Sequence, residues 1–200
     1  MTTTAKFSGG AEEKNLRRVP IETVFLDRDG VINRKLPEGE YVSSWERFEM
    51  LPGVAGAVAR LNRAGLRVLV VTNQRGVALG RYTTDDVDAI HRRLQTLLAG
   101  HGARVDGFYY CPHDKGQCGC RKPLPGMFAQ AQAQFAGIDA ASSVMVGDSL
   151  SDVEFGRAAG MQTIFVSGDA AHRKPGWERG AELADAAVED LPAAVARILG

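Results

Sequence analysis

The chain has 200 residues, enough for one domain with a substantial core and few for two. Its 24 Lys and Arg balance its 24 Asp and Glu, so no whole-protein field draws it to nucleic acid or an anionic membrane. With 44% hydrophobic and 24% charged residues it is composed like a soluble globular protein, and no apolar run reaches the roughly 18 residues of a membrane span.

In chain order, residues 1–20 are small and polar, lack an apolar signal segment, and read as a loose tail before one domain over 21–200. Five runs then read as strands: Glu22–Leu26, Arg67–Val71, Gly107–Tyr110, Ser143–Val146 and Gln162–Val166. Each shows little polar alternation and stops at polar residues, as in parallel strands buried on both faces. Helical periods lie between them. Val54, Val58 and Leu61 share one face before Gly65, and Val87, Ile90, Leu94 and Leu97 share another behind Thr84 as N-cap. Further helices are predicted over Met127–Phe135 after Pro125, over Asp152–Ala159 closed by Gly160, and over Pro192–Leu199. Strands alternating with helices imply an α/β fold, a Rossmann-like doubly wound parallel sheet. Ligands of such sheets sit beyond the carboxyl ends of the strands.

Four of those ends carry reactive groups, Asp27/Asp29, Thr72/Asn73, Cys111/His113 and Asp148, and Arg121-Lys122 follows the cysteine cluster. Asp27-Arg28-Asp29-Gly30 follows the first strand, and side-chain alternation lets both carboxylates point one way while Arg28 points elsewhere. One carboxylate suits attack on phosphorus and the other proton transfer; alone, the same four residues make an ordinary surface turn. Thr72-Asn73-Gln74 offers a hydroxyl for a phosphate oxygen, or a simple strand terminus. Arg121-Lys122 offers cations for a transferring phosphoryl group, or a solvated basic pair. After the fourth strand, Asp148 is an oxygen ligand suited to Mg²⁺, and Ser149 follows it. Asp152 either orients Lys122 or the metal shell, or is only a first-turn helix acid.

The chain has three cysteines, at 111, 118 and 120. Cys111, His113, Cys118 and Cys120 form C-x-H-x4-C-x-C, which suits a closed tetrahedral Zn²⁺ site of structural type; free thiols on a loop are the alternative. Such clustering argues for reduced thiols in a reducing compartment, so a cytoplasmic location is expected. His91, His101 and His172 have no comparable surroundings and read as surface or helix residues. The aromatic pair Trp45 and Phe48 reads as core packing.

The Asp27-Arg28-Asp29-Gly30, Thr72, Arg121-Lys122 and Asp148 pieces, in this order from about residue 24 to 166, resemble the phosphatase branch of the haloacid dehalogenase superfamily. The resemblance implies that Asp27 is the nucleophile, Asp29 the general acid/base, and Thr72 and Lys122 the phosphate holders. It places Mg²⁺ on Asp27, the Asp29 backbone carbonyl and Asp148, with Zn²⁺ structural. The spacing leaves no room for a large lid, so a capless enzyme is expected. DRDGVIN, VVTNQ, CPH…CGCRKP and GDSLSD look like the heptose 1,7-bisphosphate 7-phosphatases and their relatives, the histidinol-phosphate phosphatases. In that group Arg121 is associated with substrate recognition, and residues 33–42 and 72–75, hence Asn73, Gln74 and Arg75, line the substrate site. The zinc loop has four residues between its His and the next Cys, closer to the histidinol type. The implied substrate is a small phosphorylated sugar, acted on by a monomer without nucleic-acid or membrane partners. Two other classes stay open: a nucleic-acid 3′-end phosphatase, which the balanced charge disfavours, and a non-catalytic phosphosugar binder, which would not need both Asp27 and Asp29.

Overall fold

A computed structural model describes residues 19–173 and 175–200. The predicted tail lies outside the described residues as far as residue 18. Six parallel strands form one sheet: β1 (Thr23–Leu26), β2 (Arg67–Asn73), β3 (Gly107–Cys111), β4 (Ser143–Gly147), β5 (Gln162–Val166) and β6 (Ala186–Val188), in the order β3-β2-β1-β4-β5-β6. β1 pairs with β2 and β4 in matched register, Leu26 lying between Val70 and Val146. The chain builds outward from β1 on one side and then crosses to the other, so the topological switch point falls at β1 and β4.

Six helices cover the sheet: α1 (Val54–Arg63), α2 (Thr84–Ala99), α3 (Gly126–Gln134), α4 (Leu150–Ala159), α5 (Trp177–Leu183) and α6 (Leu191–Leu199). Successive strand residues point to opposite faces, which splits the core in two. Val24, Leu26, Val68, Val70, Val144 and Val146 pack with α1, α2 and α6. Phe25, Leu69, Val71, Tyr109 and Met145 pack with α3 and α4 on the other face, where Phe165 meets α5. Burial on both faces explains why the strands read as unbroken apolar runs. No helix among the described residues is long and apolar enough to cross a membrane.

All five predicted strands are present, and β2, β3 and β4 extend one or two residues further, to Asn73, Cys111 and Gly147. β6 and α5 were not predicted. The N-cap of α2 is Thr83 rather than Thr84: its side chain accepts from the Asp86 amide and the Asp86 carboxylate bonds back to the Thr83 amide, closing a capping box. The buried stripe of α2 runs through Leu98, with Leu97 only half-buried. Of the two readings of His91, surface or helix, the helix holds: it is buried in α2, stacked on Phe108 with ring centroids 4.5 Å apart. Trp45 and Phe48 do stack, at 4.8 Å, against the α1 side of the core.

Candidate active site

The carboxyl ends of β1, β2 and β4 meet at one place, and what they carry follows from where each strand stops. β1 ends at Leu26, and the Asp27 amide still donates to Val146 O at 2.9 Å, extending the β1–β4 pairing into the site. Asp27 Oδ1 accepts from the Arg28 amide at 2.8 Å and lies 2.9 Å from Lys122 Nζ, which fixes the plane of the carboxylate. Gly30 then turns the chain at φ 104°, and a Cβ there would meet Asp148 Oδ2 at 2.2 Å; only glycine lets the loop pass so close to that carboxylate.

Lys122 joins the pieces. Its ammonium donates to Val71 O at 2.7 Å and pairs with Asp27 and, at 2.6 Å, with Asp152 Oδ1. It is 3% exposed. Burial alone would strip its proton, but the carboxylates of Asp152 and Asp27 more than reverse that and raise its pKa to about 12. Asn73 holds the Lys122 backbone from both sides, donating from Nδ2 to its carbonyl at 3.1 Å and accepting from its amide at 3.0 Å. Asp152 is wholly buried and serves two ends: Oδ1 faces Lys122 while Oδ2 accepts from the Ser149 amide at 3.0 Å and its hydroxyl at 2.6 Å. It is therefore both the first-turn acid of α4 and the partner of Lys122.

Asp29 is held by a different set. The Arg28 guanidinium bonds both of its oxygens at 3.0 Å, Asn33 Nδ2 donates to Oδ1 and Gln74 Nε2 to Oδ2, each at 3.0 Å. Burial would raise its pKa, but the charge on Arg28 and these donors pull it below the ordinary carboxylate value. The expectation that Arg28 points away is thus corrected: its side chain is fully buried and folds back onto Asp29. Gln74 links this clamp to Thr72, donating to its hydroxyl at 2.9 Å, and accepts from Tyr82 OH at 2.7 Å. Tyr82 and Arg28 are the participants sequence reasoning missed, since neither sits in a pattern that distinguishes a buried polar clamp from a surface residue.

Asp27, Asp29, Thr72, Asn73, Lys122, Ser149 and Asp152 line one small cleft. The carboxylates of Asp27, Asp148 and Asp152 offer oxygens within 4.8 Å of one another. Asp148 also borders a larger adjoining cavity of about 240 Å³, whose walls include Gly30, Lys35 and Arg173. Asp27 and Asp148 present hard oxygen donors of the kind Mg²⁺ takes, with the Asp152 carboxylate close by.

Beyond β3, Cys111, His113, Cys118 and Cys120 converge. Their ligand atoms stand 3.3 to 3.7 Å apart along four edges: Cys118–Cys120 3.3, Cys111–Cys118 3.4, Cys120–His113 Nδ1 3.4 and Cys111–His113 Nδ1 3.7 Å. A tetrahedral zinc with bonds of about 2.3 Å sets edges of about 3.8 Å, so this donor set fits the ion after a small expansion. Two predicted substrate residues stand here rather than in the cleft. Arg75 pairs with Asp114 of the loop, Nε to Oδ1 at 2.5 Å, and Arg121 Nη1 reaches His113 O at 3.5 Å.

A family model described as HAD-hydrolase-like matches residues 119–194. The D-glycero-alpha-D-manno-heptose-1,7-bisphosphate 7-phosphatase of Mycobacterium tuberculosis (strain ATCC 25618 / H37Rv) is 42% identical over 169 residues, 84% of this chain and 86% of that protein. The D-glycero-beta-D-manno-heptose-1,7-bisphosphate 7-phosphatase of Escherichia coli O6:H1 is 36% identical over 183 residues, 88% of this chain and 94% of the other. The crystal structure of D,D-heptose 1,7-bisphosphate phosphatase from B. bronchiseptica, complexed with magnesium and phosphate, superposes with a TM-score of 0.78 at 33% identity, covering 90% of this chain and 98% of that one. By sequence, coverage and fold alike, the chain belongs to the haloacid dehalogenase-like phosphatases, in the group of the heptose-1,7-bisphosphate 7-phosphatases.

Proposed function

We propose that residues 21–200 form one phosphatase domain that removes the 7-phosphate of D-glycero-D-manno-heptose 1,7-bisphosphate by way of an aspartyl-phosphate at Asp27. The observation that carries this is the convergence of Asp27, Asp29, Thr72 and Lys122 on one cleft beside Asp148, in a chain whose relatives bear that activity in their names. The short zinc loop had pointed toward the histidinol type; the heptose names of relatives at 36% and 42% identity outweigh it.

In this reading an Asp27 carboxylate oxygen attacks phosphorus and the bond from phosphorus to the sugar oxygen breaks. Lys122, kept charged, and the Thr72 hydroxyl stabilise charge on the equatorial oxygens. Asp27 and Asp148 would hold a Mg²⁺ ion, which would supply the positive charge that a carboxylate needs to approach a phosphate dianion. Asp29, having taken up a proton from solvent as the substrate binds, gives it to the departing alkoxide, then takes one from the water that attacks the aspartyl-phosphate, releasing phosphate and restoring Asp27. The clamp keeps Asp29 ionised at rest. A phosphate dianion beside it raises its proton affinity by like-charge repulsion, which suits the first step. Zn²⁺ on the cysteine loop holds Arg121 and Lys122 in place and takes no chemical part.

The test is release of inorganic phosphate from both anomers of heptose 1,7-bisphosphate, from histidinol phosphate and from an oligonucleotide 3′-phosphate, with and without Mg²⁺. We expect the heptose ester to be turned over fastest, only with Mg²⁺, and Asp27→Asn to lose at least about a thousandfold in kcat. Preferred turnover of histidinol phosphate, or an Asp27→Asn protein as active as the parent, would overturn the reading.

A further inference from the structure

The mechanism above leaves one charge next to the metal-binding carboxylates unused. Lys35 lies in the loop after β1, and its ammonium pairs with Asp148 Oδ2. The two side chains are 10% and 9% exposed, so the contact sits largely out of water. Its neighbour Arg34 is engaged elsewhere, forking onto Glu49 at 2.8 and 2.9 Å. Among the described residues, Lys122 pairs with Asp27 and Asp152, and Lys35 with Asp148. A divalent cation bound here would add positive charge that favours a phosphate dianion, but it must share Asp148 with an ammonium already in contact. Two cations drawn to one carboxylate in a poorly solvated spot repel strongly. Lysine has a flexible four-carbon stem, and the cavity of about 240 Å³ that both residues border gives it room to swing.

Building on the phosphatase reading, we propose that Lys35 is an exchangeable counter-ion: it occupies Asp148 in the resting protein, yields it when Mg²⁺ binds, and carries its ammonium onto the phosphate dianion of the substrate. Lys35 is then a positioning residue for the metal and a binding residue for the substrate. These roles have opposite signatures, because removing the charge must help one ligand and harm the other. A residue that only supported the loop would weaken both.

Calorimetric titration of the full-length, zinc-loaded protein separates the two. With Mg²⁺ as titrant and no phosphate, Lys35→Met should bind the ion roughly tenfold more tightly than the parent, and Lys35→Arg, which keeps a cation there, should bind it much as the parent does. With inorganic phosphate as titrant at saturating Mg²⁺, Lys35→Met should bind roughly tenfold more weakly. Melting curves verify folding, and Lys35→Gln, polar and uncharged, must give the same two directions if the methionine variant is unstable. Unchanged or weaker Mg²⁺ affinity in the neutral variants, or unchanged phosphate affinity, overturns the proposal. Because both readouts are equilibrium binding, that failure is distinct from failure of the phosphatase reading, which shows as absent turnover in the parent protein.

Discussion

A buried titratable group acts according to what surrounds it. Lys122 is buried among carboxylates and stays charged; His91 is buried among aromatics beside Arg28 and stays neutral. Burial, helped by the positive charge of Arg28, lowers the His91 pKa from 6.5 to about 3. Below pH 6.5 the unfolded chain therefore binds a proton that the folded one refuses. The histidine's contribution is present above the unfolded value and is lost as pH falls toward 3, by about 1.4 kcal/mol per pH unit within that window. Replacing His91 by Phe, which keeps the stack on Phe108 and removes a buried ring nitrogen, Nε2, without a hydrogen-bond partner, should leave stability at pH 8 equal or higher. It should also flatten the loss between pH 6 and 4 in urea unfolding series. The same residues mark what could be read beforehand at this scale. Asp27 and Thr72 were legible because their positions at strand ends are themselves the signal, and Lys122 because it follows the cysteine cluster directly. Arg28 and His91 were not, since a charged or polar side chain is more often at the surface and only a finished fold shows what closes over it.

Among elements, the cysteine loop joins the end of β3 to the cleft. It leaves β3 at Cys111, returns through Cys120, and runs straight into Arg121 and Lys122. Asn73 grips Lys122 from the neighbouring strand, so the loop and β2 together aim one ammonium. Cys118→Ser should drop zinc from near stoichiometric to near none by elemental analysis. It should cost about 1–3 kcal/mol of stability and raise KM more than it lowers kcat. Mg²⁺ affinity should stay within about twofold, because Asp27 and Asp148 hang from other strands. Most element boundaries were legible within one or two residues, since buried parallel strands and capped helices declare themselves in the pattern. α5 and β6 escaped for physical reasons: one is seven residues with Gly180 inside it, the other a three-residue Ala-Ala-Val edge strand that leans on β5 for its pairing.

At the scale of the whole molecule, the order β3-β2-β1-β4-β5-β6 accounts for the site's location more fully than any single motif does. The chain departs from β1 in both directions, so the loops after β1 and β4 open away from each other and leave a crevice between them. Alternation of helix and strand foretold a doubly wound sheet, but strand order is a matter of which apolar faces meet, and that is not written in any one run. Because the ligands join loops from several strands, filling the crevice should tighten the molecule globally. Mg²⁺ and inorganic phosphate, each at about a hundred times its dissociation constant, should add about 2.7 kcal/mol apiece, together raising Tm by about 10 to 20 °C in scanning calorimetry. A chelator selective for Mg²⁺ should return it to the starting value.

The placement of the reacting groups along the sheet has one more result. Asp27 and Asp148 hang from the two central strands, whose mates on either side lock them. Arg121 and the cysteine loop hang from the margin, where β3 has a partner on one side only, and Arg75, just after β2, reaches that loop through Asp114. On the proposed function, bond-making would be anchored on strands paired on both sides and recognition of the departing sugar would fall to the rim. A loop of different length at that rim can re-tune which alcohol is admitted while the trajectory of attack stays as it was.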